Sequence, residues 1–595
     1  MKTTDPSSTQ RRPRRLPFRV MPLRTMLLAA ATAFAAVSCG QSSDGDDAVD
    51  EDGLPSRPVS VGDRDDQTGA GGSANAGAAG AGGSANVSAG GGGLGLAGAA
   101  GGGGDERDPL DPDLDPADPP RRGGGGGNNN VVRCDDSDCE INGGECQGQT
   151  CVFTCEDDGE FIDCAEEEVE CPDGLDCRVE CQDDGQCAQE ITCPNDGICT
   201  VNCEEDNTCT ARIDCAGTED CNVNCTGDDS CGIAFLVDNA REDLSLNCEG
   251  DRSCSVGEIE CGNGDTTCNI QCGGDDSCAL NIDLGGDNAD LICDGTGSCS
   301  GTIVCDGNLD NCTANCNGDN SCAQGVACGG LGLPELCQVD CIGEASCVAG
   351  LTCDAESCDL NCDNNSCAGN IVCGVAGGDT TNCQVDCGLG SCAGTVSCDT
   401  VDGDCDVDCL ETGACGGAVT CTADEGLCNI DCAVADTCGN AVSCNSTENC
   451  TLTCDNNNVC LGNVTCVSEE GTCNVDCAGN NTAGACTQNV TCNSDLACNI
   501  QCAVNDGCLG NVDCVSDANC TIDCGADNAC PQQVTCDSGA TCDINCDGNN
   551  SCNNANVVVT CDADNTCDVE CANNANCLAN VQCDADILRS DCPVN

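Results

Sequence analysis

The chain has 595 residues, with 77 cysteines, no histidine, tryptophan or tyrosine, and five phenylalanines. Its 103 aspartates and glutamates against 18 lysines and arginines give a formal net charge of −85, which repels nucleic acid and opposes compaction. Aromatic bulk this scarce excludes an ordinary globular core, and cysteine at this density points to an exported chain in which disulfides substitute for one.

Residues 1–25 carry Lys2, Arg11, Arg12, Arg14, Arg15, Arg19 and Arg24, and an apolar run from Met26 to Val37 follows. A basic segment before an apolar run too short to span a bilayer reads as a signal peptide over residues 1–38. The run ends Ala36-Val37-Ser38-Cys39. This resembles the lipobox of bacterial lipoproteins, with Ala36 where leucine is usual. The resemblance implies cleavage before Cys39, lipidation of its thiol and amine, and a lipid anchor in the cell envelope, at the outer membrane or cell surface. The alternative is ordinary cleavage after a site of the A-x-A kind, which releases a free secreted protein. Arg14-Arg15-Leu16 is a poor twin-arginine signal. Parity supports lipidation: setting Cys39 aside leaves 76 cysteines, an even number, as an exported protein without a spare thiol requires.

Residues 39–133 lack apolar periodicity. They pass from an acidic stretch (43–66) through glycine, alanine and serine (67–104) to the Asp/Pro-rich DERDPLDPDLDPADPPRR and then GGGGGNNN. This composition predicts a disordered tether.

Residues 134–595 hold the other cysteines. From Cys151 onward they repeat as C-x3-C followed by two further cysteines, each after about five residues, as in Cys498, Cys502, Cys508, Cys514, Cys520 and Cys524. The middle residue of C-x3-C is almost always aliphatic (Val223, Ile270, Val385, Ile500, Ile522) between polar neighbours, the alternation of a half-buried strand. A second aliphatic residue stands two before the fourth cysteine (Ile191, Val419, Val490) and marks a second short strand. Between them lie turn sequences such as EEDNT, TGDDS and NGDNS. Two strands per unit of about 23 residues cannot bury a face alone, but stacked units can. The expected fold is all-β, a flattened parallel β-solenoid of about nineteen disulfide-stapled coils. The alternative is a string of small disulfide knots without continuous sheets.

The two cysteines of C-x3-C lie too far apart along a strand to bridge each other. Twice the fourth cysteine of one unit and the first of the next are missing together, where Leu244 and Ala289 replace first cysteines. Fourth therefore pairs with following first, and by elimination second with third. This neighbour rule predicts Cys134–Cys139, Cys146–Cys151, Cys155–Cys164, Cys502–Cys508, Cys514–Cys520, Cys571–Cys577 and Cys583–Cys592, joins Cys498 to Cys492 and Cys524 to Cys530, and leaves no thiol over.

Thiolate metal sites want C-x-C or C-x2-C spacing, which is absent. Stacked turn aspartates and asparagines offer oxygens for weak calcium binding, although turn geometry already accounts for them; no other cofactor is expected. Without histidine, tyrosine or a free thiol, enzymatic activity is not expected. The chain resembles exported, cysteine-rich repeat lipoproteins of bacteria, which supply no catalytic residue to carry over. Its expected role is that of a cell-envelope-anchored, acidic repeat lipoprotein for structure, surface display or adhesion. The alternative is a binding module whose acidic turns take cations, a basic partner protein or a matrix polymer.

Overall fold

A computed structural model describes residues 139–589, apart from 141–142, 157–163, 233–235, 238–242, 263–266, 307–308, 331–333, 375–379, 480–483, 553–557 and 572–580. The expected signal peptide, Cys39, the tether, Cys134, Cys577 and Cys592 lie outside the described residues. Within them the fold is a parallel β-solenoid of 38 strands, with no helix.

The strands form two ladders. In the first, the alternation of the sequence becomes alternation of burial: in Asp220–Cys225 the residues Cys221, Val223 and Cys225 are buried while Asn222 and Asn224 are half-exposed. Each strand pairs in parallel with its equivalent one coil on, Cys177 level with Cys199, Val179 with Val201 and Cys181 with Cys203. The register recurs without a slip as far as Ile544 level with Val569. A one-residue slip would turn every cysteine outward, so the buried alternation holds the register. The second ladder begins with two-residue strands such as Ile191–Thr192 and Ile213–Asp214 and widens to five residues from Val396–Thr400 onward. Its aliphatic residues also stack, Val419 on Val442 on Val464 on Val490.

The core between the ladders is thin. It consists of cystines, one aliphatic residue from most strands and Phe153. Leu244 stands in the first-cysteine column, level with Cys221 and Cys268, and Ala289 lies level with Cys268 and Cys312.

Bridges close most coil edges on both sides, with the edges at Leu244 and Ala289 as exceptions among the described residues. Cys155–Cys164, Cys492–Cys498, Cys502–Cys508, Cys514–Cys520 and Cys524–Cys530 follow the neighbour rule, their Cα atoms 5.6 to 6.2 Å apart. Cys571 and Cys583 are also disulfide-bonded.

The rule fails at the start of the solenoid. Cys139 bonds Cys151, so neither Cys134–Cys139 nor Cys146–Cys151 is formed, and Cys146 is disulfide-bonded elsewhere. The physical reason is local. Among the described residues no coil precedes Cys151; the chain arrives instead as Glu145–Gln147, antiparallel to Thr150–Cys155, with Cys146 across the hairpin from Cys151. The place where a fourth cysteine would sit is reached by Cys139. Gly144 makes room for that bridge, since a Cβ there would lie 2.7 Å from the Cys151 sulfur and 2.8 Å from that of Cys139.

The turn from second to third cysteine departs from what composition suggests. The residue two before the third cysteine is left-handed, and Asn, Asp and Gly fill it in most coils, as at Asn207 (φ 55°), Asp229 (φ 54°) and Gly297 (φ 70°), with Arg252 and Ala345 as exceptions. In most coils the third cysteine is left-handed as well: Cys209 has φ 50°, Cys231 53° and Cys322 47°. Cysteine has no local side-chain bond to favour that region. It is held there because the chain must reverse while its sulfur points inward to the second cysteine.

Candidate functional site

The cysteines and aliphatic residues fill the inner face of the first ladder, so the residues between them form two outward columns. In one, Asp386, Asp408 and Asp431 follow each other in register, about 4.8 Å apart along the ladder. Asp406 lies beside them, two residues before Asp408 on the same strand. All four are half-buried. Elsewhere in these columns an amide breaks the sequence of acids: Asn361 Nδ2 donates to Asp340 Oδ1 at 3.2 Å, Asn429 Nδ2 to Asp406 Oδ1 at 2.8 Å and Asn545 Nδ2 to Asp523 Oδ1 at 3.0 Å.

In the run of three aspartates, Gln384 on the same strand gives Asp386 the one such amide bond among the described residues. Burial, then the charges of Asp406, Asp386 and Asp431, push the Asp408 carboxyl up to about 6. Burial raises Asp386 as well, partly offset by Gln384, whose Nε2 donates to Asp386 Oδ2 at 3.1 Å. Asp431 is raised by burial and by Asp455 and Asp406, and its Oδ1 is buried without a hydrogen-bond partner. Chemically, Asp408 holds its proton in mildly acidic solution, and the strip has negative charge to offer a cation or a basic group.

The turn acids are a different case. Asp206 Oδ1 accepts the backbone N–H of Asp228, Asp228 that of Asp251, and Asp251 that of Asp275, at 3.0, 3.0 and 3.2 Å. Each spends an oxygen on the coil above, so this row, expected to offer calcium ligands, first of all satisfies turn amides. Arg252 caps the same edge, with Nε donating to Asp229 Oδ1 at 2.7 Å and Nη2 pairing with Oδ2.

The cysteines named from the repeat are structural. The sulfurs of Cys181, Cys203 and Cys209 approach within 4.8 Å of one another, yet all three are in disulfides and none is a free thiolate for a metal. The acidic strip was not singled out from the repeat. Its signal was available: the successive units Cys383–Cys387, Cys405–Cys409 and Cys428–Cys432 all place aspartate before the second cysteine. Comparison of the chain with protein-family profiles, with curated proteins and with solved structures returned no match.

Proposed function

We propose that the protein is an acidic, non-enzymatic rod displayed from the bacterial cell envelope by a lipid on Cys39, with a structural, surface-display or adhesion role. The observation that carries this reading is the in-register stacking of the first ladder from Cys151 to Val569, with a bridge at nearly every coil edge. Such a body gains rigidity from covalent closure, and bridges in this number belong to an oxidising compartment. Solenoid coils add length at nearly constant cost per unit, which suits a spacer or a display stalk. The test is cell fractionation with Cys39→Ala. The unaltered chain is expected with membranes and sensitive to protease added to intact cells, and the variant in the soluble or secreted fraction. Equal membrane association of the two chains removes the anchor from the proposal.

A second reading is favoured by the Asp386–Asp408–Asp431 strip, whose raised carboxyls would be relieved by a bound cation or a basic partner. Calorimetric titration with calcium, and separately with a lysine-rich peptide, tests it. Weak binding reduced by Asp408→Asn together with Asp431→Asn supports a binding module; identical heats from both chains leave the rod alone.

A further inference from the structure

Bridges of neighbouring coils touch. Cys209 Sγ lies 3.4 Å from Cys181 Sγ, although the two belong to different disulfides, Cys203–Cys209 and Cys181–Cys187. At the opposite edge Cys215 Sγ lies 3.6 Å from Cys193 Sγ, again across two bridges. Parallel in-register stacking is the cause, since it brings each cystine to one strand spacing from the next. The contacts continue: the Cys187 sulfur is within 4.8 Å of those of Cys155 and Cys164, which form the bridge one coil below.

We propose that the stacked disulfides form a thiol–disulfide relay, in which a thiol arising in one coil attacks the bridge of the coil beneath and passes the free thiol along the column. A separation of 3.4 Å is within the range of reacting atoms, and attack further requires the three sulfurs to swing into line. The step balances within the chain. The Cys209 thiolate attacks Cys181 Sγ, a Cys181–Cys209 bond forms, the Cys181–Cys187 bond breaks, and its electron pair leaves on Cys187 Sγ. One disulfide and one thiolate stand on each side, so no oxidant or reductant is consumed once a first thiol exists. Cys187 can then attack Cys155–Cys164. These sulfurs are at most 1% exposed. Burial disfavours the thiolate, which slows the relay without removing its geometry. The consequence is that a broken bridge is handed on rather than left as a fixed gap, and staples within coils become links between them.

Cys203→Ser in the full chain leaves Cys209 as the starting thiol. The variant is held native in mildly alkaline buffer, quenched in acid, unfolded, alkylated with N-ethylmaleimide and mapped by mass spectrometry. Over minutes to hours, the timescale of uncatalysed disulfide rearrangement, label at Cys209 should fall, label at Cys187, Cys155 or Cys164 should rise, and a Cys181–Cys209 cross-linked peptide should appear. Cys221→Ser is the companion variant. It frees Cys215, and a Cys193–Cys215 peptide with label at Cys199 is expected. Circular dichroism identifies which variants keep the β-solenoid. In a folded variant, label that stays on the starting cysteine, or that scatters to cysteines outside the column, overturns the relay.

Discussion

Leu284 and Ala289 occupy the two places that a disulfide fills in the next coil. Leu284 is level with Cys305 and Ala289 with Cys312, and Cys305 bonds Cys312. Both are buried, so an apolar contact closes this coil edge where covalent closure is missing. Five residues separate them, the spacing at which Cys353 bonds Cys358 with Cα atoms 6.1 Å apart. Leu284→Cys with Ala289→Cys should therefore form a new bridge without rearranging the others, detected as a mass two hydrogens lower than the dithiol. So short a loop contributes at most about 2 kcal/mol, offset by the lost leucine, so little net change in stability is expected. Free thiols at both positions in a folded protein would contradict the register reading.

The left-handed third cysteine predicts an asymmetry between replacements. Cys530 has φ 48°, a conformation that costs a non-glycine residue about 1 kcal/mol. With its partner changed by Cys524→Ser, Cys530→Gly should preserve that turn better than Cys530→Ser, by about 1 kcal/mol. Amide hydrogen exchange at Asn528–Cys530 measures the difference, and equal protection in the two variants counts against it. Ala345→Gly tests the same physics from the other side, because Ala345 (φ 58°) stands where most coils place Asn, Asp or Gly. It should stabilise its coil by about 0.5–1 kcal/mol.

One glycine column predicts where substitution is not tolerated. A Cβ on Gly295 would lie 1.9 Å from the Gly274 carbonyl oxygen, and one on Gly318 2.0 Å from that of Gly295. Gly295→Ala must push two coils apart and should remove hydrogen-exchange protection across several strands. At Gly185 (φ 75°) a Cβ meets nothing within 4 Å, so Gly185→Ala should cost only its backbone strain, about 1 kcal/mol. If the two variants lose protection equally, close stacking is not the reason for the column.

The acidic strip predicts pH dependence with a definite sign. Asp408 is raised to about 6 in the folded chain, so the native state holds its proton more tightly than the unfolded state. Stability from this group is full below about pH 4 and is lost as pH rises towards 6. Asp408→Asn should match the parent at about pH 4 and exceed it at neutral pH, by no more than about 1 kcal/mol once solvent screening of a half-exposed carboxyl is allowed for. Thermal melts of both chains across this range are the check, and a variant that is less stable at neutral pH refutes the assignment.

Full reduction should do more than soften the solenoid. Each coil buries one or two aliphatic side chains, while the chain carries a net charge of −85. Without bridges the thin core must resist that repulsion alone. A reduced, alkylated chain should lose its β circular dichroism and expand in size-exclusion chromatography at low salt; retention of the native spectrum would show that the ladders suffice without disulfides.

Features that depend on neighbours along the chain are largely legible in the residues themselves. Alternation in stretches such as Cys221-Asn222-Val223-Asn224-Cys225 dictates a strand with one inner face. A repeating unit that cannot bury that face alone dictates stacking. A bridge across a short turn needs only the turn, so Cys502–Cys508 and Cys514–Cys520 follow from spacing. Tertiary structure decided what depends on the coil above or below. Cys139 reaches Cys151 because a hairpin, not a coil, precedes the first full turn. Third cysteines such as Cys209 and Cys530 are left-handed because a reversal and an inward sulfur must be met at once. Asp408 is perturbed by residues 22 and 23 positions away, Asp386 and Asp431, and Cys209 meets Cys181 across 28. A strand spacing of about 4.8 Å makes neighbours of residues a full coil apart in sequence, and that distance exists only once the coils have stacked.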